Sequence, residues 1–140
     1  MRPDTYWDAV ESLDADLLAS LFAAGGSFQL AEQAPVTGRE AIRRAFVQLF
    51  VEIETIEHRT VAAWNRGGLF VSDADLTLTF SDGRLFIPTT TILWTRESEI
   101  LSCRLLLYPE PALERFTRFF LPSFTMDPWA NAPLAASSLV

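Results

Sequence analysis

From residue 69 onward, polar and apolar positions alternate with a period of two, the mark of β-strands with two distinct faces. The alternation falls into three segments, 69–80, 85–96 and 100–108, separated by Ser81-Asp82-Gly83 and Arg96-Glu97-Ser98-Glu99. Both separators are short enough for hairpins, and the first holds the glycine that tight reversals favour. In the first segment Phe70, Ser72, Ala74, Leu76, Leu78 and Phe80 share one face, and Val71, Asp73, Asp75, Thr77 and Thr79 share the other. In the last, Ile100, Ser102, Arg104, Leu106 and Tyr108 oppose Leu101, Cys103, Leu105 and Leu107. The pattern predicts an antiparallel meander with one apolar face and one face interrupted by two carboxylates, an arginine and a phenol. Such a mixed face is expected to line a pocket.

Upstream the period changes to that of helices. Asp4 or Thr5 can cap a helix with Tyr6, Trp7, Val10 and Leu13 as its apolar positions. Asp14 can cap a second, carrying Leu17, Leu18, Leu21 and Phe22, which Gly25-Gly26 should stop. Residues 27–31 form a short strand, followed by a polar loop to Pro35 in which Glu32 is expected to be solvated. Thr37-Gly38-Arg39-Glu40 has the spacing of a capping box, and the helix it opens would bury Ile42, Ala45, Phe46, Leu49, Phe50 and Ile53. Residues 56–64 read as a strand, and Asn65-Arg66-Gly67-Gly68 turns into the meander. The class is therefore α+β, with helices packed on one face of a curved sheet. After Tyr108 the chain predicts a helix over 112–121, ended by Pro122, and then an apolar arm with Phe124, Met126 and Trp129.

Composition narrows the partners. The 140 residues are 49% hydrophobic and 21% charged, enough apolar material for one real core. A net charge of −7 argues against nucleic acid and anionic membrane surfaces, which need a basic stripe. No segment is as long and apolar as a membrane span, and the N-terminus lacks the apolar core of a signal peptide. A single cysteine suits a cytoplasmic protein, and one Cys with one His leaves too few ligands for a closed zinc site. No metal or cofactor is expected.

The opening helix pair ending in Asp16-Leu17-Leu18-Ala19-Ser20-Leu21-Phe22-Ala23 is the first element of a resemblance. Three more follow in order: Thr37-Gly38-Arg39-Glu40-Ala41-Ile42-Arg43-Arg44-Ala45-Phe46, Asp82-Gly83 with Ile87-Pro88, and the segment from Arg104 to Pro111. Together they resemble the SnoaL-like branch of the NTF2-like superfamily, over roughly residues 5–113. The resemblance implies a cone-shaped fold around an apolar pocket, a domain over 1–113, and dimerisation through the sheet, with 114–140 as a C-terminal helix and arm outside it. Its members include polyketide cyclases, ketosteroid isomerases and limonene-type epoxide hydrolases, so fold alone leaves function open. The terminal aspartate of the cyclases and epoxide hydrolases falls here on Tyr108. The epoxide hydrolases' Asp and Arg, two apart, fall on Asp75 and Asp73. The ketosteroid isomerases' tyrosine is matched by Tyr6, while their basic aspartate falls near Leu30 and their acidic hydrogen-bond donor near Thr91.

The residues thus suggest, as catalytic candidates, Asp75, Tyr108, His58 and Tyr6. Two carboxylates on one strand face, Asp73 and Asp75, repel one another in an apolar setting, so one resists ionising and becomes material for acid–base work. Arg104 is expected to pair with Asp75 or to orient a substrate carbonyl. His58 has the side chain best suited to proton transfer near neutrality. Asp73, Arg104, Trp64, Trp94 and Phe86 are candidates for contact with substrate, while Cys103 is expected to be an inert core thiol. The expected function is cofactor-independent isomerisation, cyclisation or epoxide opening on a small, largely apolar molecule, in a homodimer. The alternative is a small-molecule-binding or structural dimer of the same fold without turnover.

Overall fold

The structure, a computed structural model, describes residues 2–107. The expected helix and arm beyond 108, the candidate Tyr108 and the domain boundary at 113 all lie outside the described residues. Three helices, α1 (Pro3–Glu11), α2 (Ala15–Ser20) and α3 (Arg39–Phe50), accompany six strands. These are β1 (Phe22–Leu30), β2 (Val36–Thr37), β3 (Ile53–Arg66), β4 (Leu69–Phe80), β5 (Gly83–Arg96) and β6 (Glu99–Leu107). They form one sheet in the order β2-β1-β6-β5-β4-β3. Its β3–β6 portion is the expected meander, β1 joins β6 in parallel, and the other pairs are antiparallel. The α+β architecture read from the sequence is the architecture found.

The helices cover one face of the sheet. On β4 that face carries Ser72, Ala74, Leu76, Leu78 and Phe80, all buried. Ile87 and Leu93 of β5 and Cys103, Leu105 and Leu107 of β6 continue it. Against them pack Tyr6, Trp7 and Val10 of α1, Leu18 of α2, and Ile42, Phe46, Leu49 and Phe50 of α3. The face expected to line a pocket, with Asp73 and Asp75, is instead the outer one and is half-exposed along β4. Desolvation explains the choice: covering two carboxylates with apolar helices would cost several kcal/mol, about what covering the alternate side chains gains.

Local details differ from expectation where the tertiary structure outweighs short-range signals. Asp14 does cap α2, accepting from the Leu17 amide at 3.0 Å. The capping box is not made, however. Gly38 is the N-cap of α3 and Glu40 turns to Arg43 at 2.7 Å, because Thr37 is already committed to β2. α1 begins at Pro3, so Asp4 and Thr5 lie inside it rather than before it. Gly25 and Gly26 sit within β1 instead of ending α2, at a register shift against β6. A Cβ on Gly26 would lie 3.0 Å from the Ala23 and Ile100 carbonyls, so a larger residue at this bulge would require the backbone to give by a few tenths of an ångström. Ile53 opens β3 rather than closing the helix face.

Under α1 the Tyr6 hydroxyl accepts a 3.7 Å contact from the Cys103 thiol, both groups fully buried. Burial pushes the Cys103 thiol up to about 12 and lifts the Tyr6 phenol well above its ordinary value. The thiol is the inert core group the sequence suggested.

Two outcomes follow. Asp14→Ala removes the α2 cap and should lower stability by about 1 kcal/mol, or the melting temperature by roughly 3–5 °C; an unchanged melting curve would show the cap to be idle. The folded state holds the Cys103 proton over a wider pH range than the unfolded chain, whose thiol titrates near ~8.5. Its contribution is complete below that pH and lost as pH rises towards about 12. Denaturation between pH 8 and 11 should show declining stability, with a shallower decline in Cys103→Ala; equal slopes refute the assignment.

Candidate functional site: the interior pocket

The cross-strand register explains where the sheet leaves room. One row running across it toward the helices is Ala63–Ser72–Thr91–Leu105, and the next is Asn65–Phe70–Leu93–Cys103. Three of the first row's four side chains are small. α1 lays Trp7 over the same region, and an indole cannot fill the hollow that Ala, Ser and Thr leave. The result is a partly enclosed cavity of about 90 Å³, lined by Trp7, Phe70, Ser72, Thr91 and Leu93, with Ala63, Trp64, Asn65 and Val71 at its edge. None of these nine residues carries an ionisable side chain.

One polar atom in the pocket stands out. The Thr91 hydroxyl oxygen is buried and has no hydrogen-bond partner. Its neighbours are all satisfied: Thr89 donates to the Ala74 carbonyl at 3.1 Å, Thr90 to Asp73 at 2.7 Å, and Thr95 to the Gly68 carbonyl at 3.1 Å. Ser72 faces Thr91 directly across the β4–β5 ladder. A buried hydroxyl without a partner costs about 1–3 kcal/mol, so its persistence is a reason to look for a ligand there.

Behind the pocket wall lies a second constellation. Trp7 and Glu11 are four apart on α1 and so share a helix face. Between them they hold His58 of β3. The imidazole stacks flat on Trp7, with ring centroids 4.5 Å apart and planes 9° from parallel. Its Nδ1 meets a carboxylate oxygen of Glu11, which also accepts from the His58 amide at 3.1 Å. A carboxylate on Nδ1 fixes the ring orientation and leaves Nε2 as the atom open to chemistry. Sequence reasoning singled out His58 but missed Glu11; the i, i+4 spacing of Trp7 and Glu11 was the available signal.

The other candidates are dispersed. Asp75 pairs with Arg59 at 2.7 Å and not with Arg104. Arg59 is its direct partner across the β3–β4 ladder, whereas Arg104 lies two strands away in the row of Val71 and Ile92. Arg104 instead pairs with Glu32, which is exposed as expected but not free, and the Arg104 Nε is buried without an acceptor. Asp73 and Asp75 line an outer hollow of about 260 Å³ with Val61, Pro88 and Thr90. Trp64, Phe86 and Trp94, expected as walls or core, are 55%, 72% and 51% exposed and belong to the outer face. Tyr6 is buried with its hydroxyl on Cys103. The expected constellation is therefore split between two sides of the sheet.

Comparison with known proteins agrees with this fold. A hypothetical protein with a ketosteroid isomerase-like fold from Catenulispora acidiphila, solved in complex with trimethylamine, is 22% identical and superposes with a TM-score of 0.66 over 90% of this chain and 100% of its own. An epoxide hydrolase of the limonene type from M. tuberculosis is 10% identical, with a TM-score of 0.66 over 97% of this chain and 91% of its own. An NTF2-like protein of unknown function from Cytophaga hutchinsonii is 12% identical, with a TM-score of 0.61 over 78% and 88%. Identities this low speak for the fold alone. No curated protein matches the chain. The SnoaL-like domain family matches residues 4–102, most of the chain, and with the cone-type sheet and its helical cover this places the protein in the SnoaL-like family.

Proposed function

We propose that the protein binds a small molecule in the interior pocket without turning it over, as a homodimer joined through the outer face of its sheet. The observation that carries this reading is the pocket's lining: apolar walls, a hydroxyl awaiting a partner, and no group that could give or take a proton near neutrality. Its volume is below the few hundred Å³ usual for sites that hold drug-sized ligands, which disfavours steroid- or polyketide-sized substrates.

The outer face supports the dimer. Trp64, Val71 and Ile92 lie in one row, Leu69 and Trp94 in the next, and Phe86 stands further along the same face. Exposed aromatics gathered on one sheet face mark an interface more often than a solvated surface. Among the described residues, no helix is long and apolar enough to cross a membrane. A cytoplasmic location remains part of the proposal, on the evidence of the single cysteine.

A second reading, acid–base catalysis, draws support from the two places where proton-transfer groups do gather. Asp73 and Asp75 share the outer hollow, and Glu11 orients His58. In that reading Asp75 is the acid or base, with His58, Tyr6 or Tyr108 assisting as donors, and Arg104 and Asp73 holding substrate beside Trp64, Trp94 and Phe86.

Sedimentation separates the interface from a bare surface. The wild type should run as a dimer, and Trp64→Glu with Trp94→Glu should run as a folded monomer; a monomeric wild type removes the dimer. Turnover separates the two functional readings. Epoxide, ketosteroid and lactone substrates should be left unchanged by the wild type. Turnover that falls by roughly 10²-fold or more in Asp75→Asn or His58→Gln would replace the binding reading with the enzymatic one.

A further inference from the structure

Resting on the interior pocket as the binding site, we propose that its ligand is a compact, uncharged molecule with one hydrogen-bond-accepting oxygen, of the class of short-chain ketones and alcohols. Three observations set the class.

The first is size. An engineered protein cavity of about 150 Å³ takes up benzene, and the space here is about 90 Å³. A ligand of roughly four to six non-hydrogen atoms fits, and ring systems do not. Its affinity is accordingly modest, because so few atoms make few contacts.

The second is charge. Trp7, Phe70 and Leu93 form the walls, and no carboxylate, guanidinium or imidazole lines the space. Glu11 and His58 stand behind Trp7 and are paired with each other. An ion entering the pocket would lose its hydration with no counter-charge in return. Neutral ligands are favoured over ammonium or carboxylate ions of the same shape.

The third is polarity. Of the threonine hydroxyls on β5 at 89, 90, 91 and 95, only that of Thr91 lacks a partner. Its O–H can donate to a ligand oxygen. Ser72, opposite it in the ladder, offers a second hydroxyl to the same atom. A single polar group is therefore recognised at the floor of an otherwise apolar site.

The test uses the full chain, with butanone and isopropanol as probes in thermal-shift and calorimetric titrations. A ligand that binds only the native state raises its melting temperature by mass action. Butanone should stabilise the wild type. Thr91→Val, which keeps the shape and removes the hydroxyl, should weaken that binding roughly tenfold. The ligand-free Thr91→Val protein should melt at the same temperature or higher, so lost binding would not be lost folding. Ser72→Leu, which fills the space, should abolish binding. Tetramethylammonium, propionate and naphthalene should give no shift. Equal butanone affinity in the wild type and Thr91→Val overturns the role of the hydroxyl. Protection by tetramethylammonium or naphthalene, absent in Ser72→Leu, overturns the ligand class but keeps the pocket as a binding site. No protection by any probe in the wild type overturns the class and the binding reading together.

Discussion

The structure depends on one constraint, the face of the sheet that the helices cover. Strands of 12 and 14 residues alternate their side chains without exception on β4, so a single decision sends Ser72, Ala74, Leu76, Leu78 and Phe80 inward and Asp73 and Asp75 outward. Burying Tyr6, Trp7, Leu18, Ile42 and Phe46 against the inward set removes a large apolar area from water. The opposite choice would trap two carboxylates beneath those same rings. The positions of the described candidates on the sheet follow from that difference, including the separation of Asp75 from the interior.

The inward face is not uniformly filled. Leu76–Ile87 and Leu78–Leu85 are apolar pairs packed toward the helices, while Ala63–Ser72–Thr91 is a row of small side chains. Interiors pack to nearly crystalline density, so a small-residue row beneath an indole is an unusual gap and not slack. Trp7 spans it because His58 holds the indole from behind and Glu11 holds His58. The pocket, its unpartnered hydroxyl and the imidazole–carboxylate pair are thus one mechanical unit, built from one face of α1 and the middle of the sheet.

The outer face answers to different physics. Arg59–Asp75 is a solvent-screened pair that contributes no more than about 1 kcal/mol, as does Arg39–Glu99 at the start of α3. They do not organise the fold. What distinguishes this side is its exposed tryptophans and phenylalanine, side chains that a solitary sheet would gain by covering. The proposed function assigns association to the outer side and ligand to the inner one.

The sequence by itself determined the elements. Period-two alternation placed the three strands of the meander within two residues of their observed ends inside the described chain, and Asp14 was legible as a cap because capping is a contact across three residues. His58 and Cys103 were legible as a polar group worth attention and a core thiol. The capping box at Thr37 and the glycine stop at Gly25-Gly26 misled, since both are local patterns that strand pairing of β1 and β2 overrode. Tertiary structure alone decided which partners meet. Arg59 rather than Arg104 reaches Asp75, Glu11 reaches His58 across 47 positions, and Ser72 comes to face Thr91. Those pairings depend on register and on which face is buried, both set by the summed burial of the whole sheet, and no short window of sequence contains that sum.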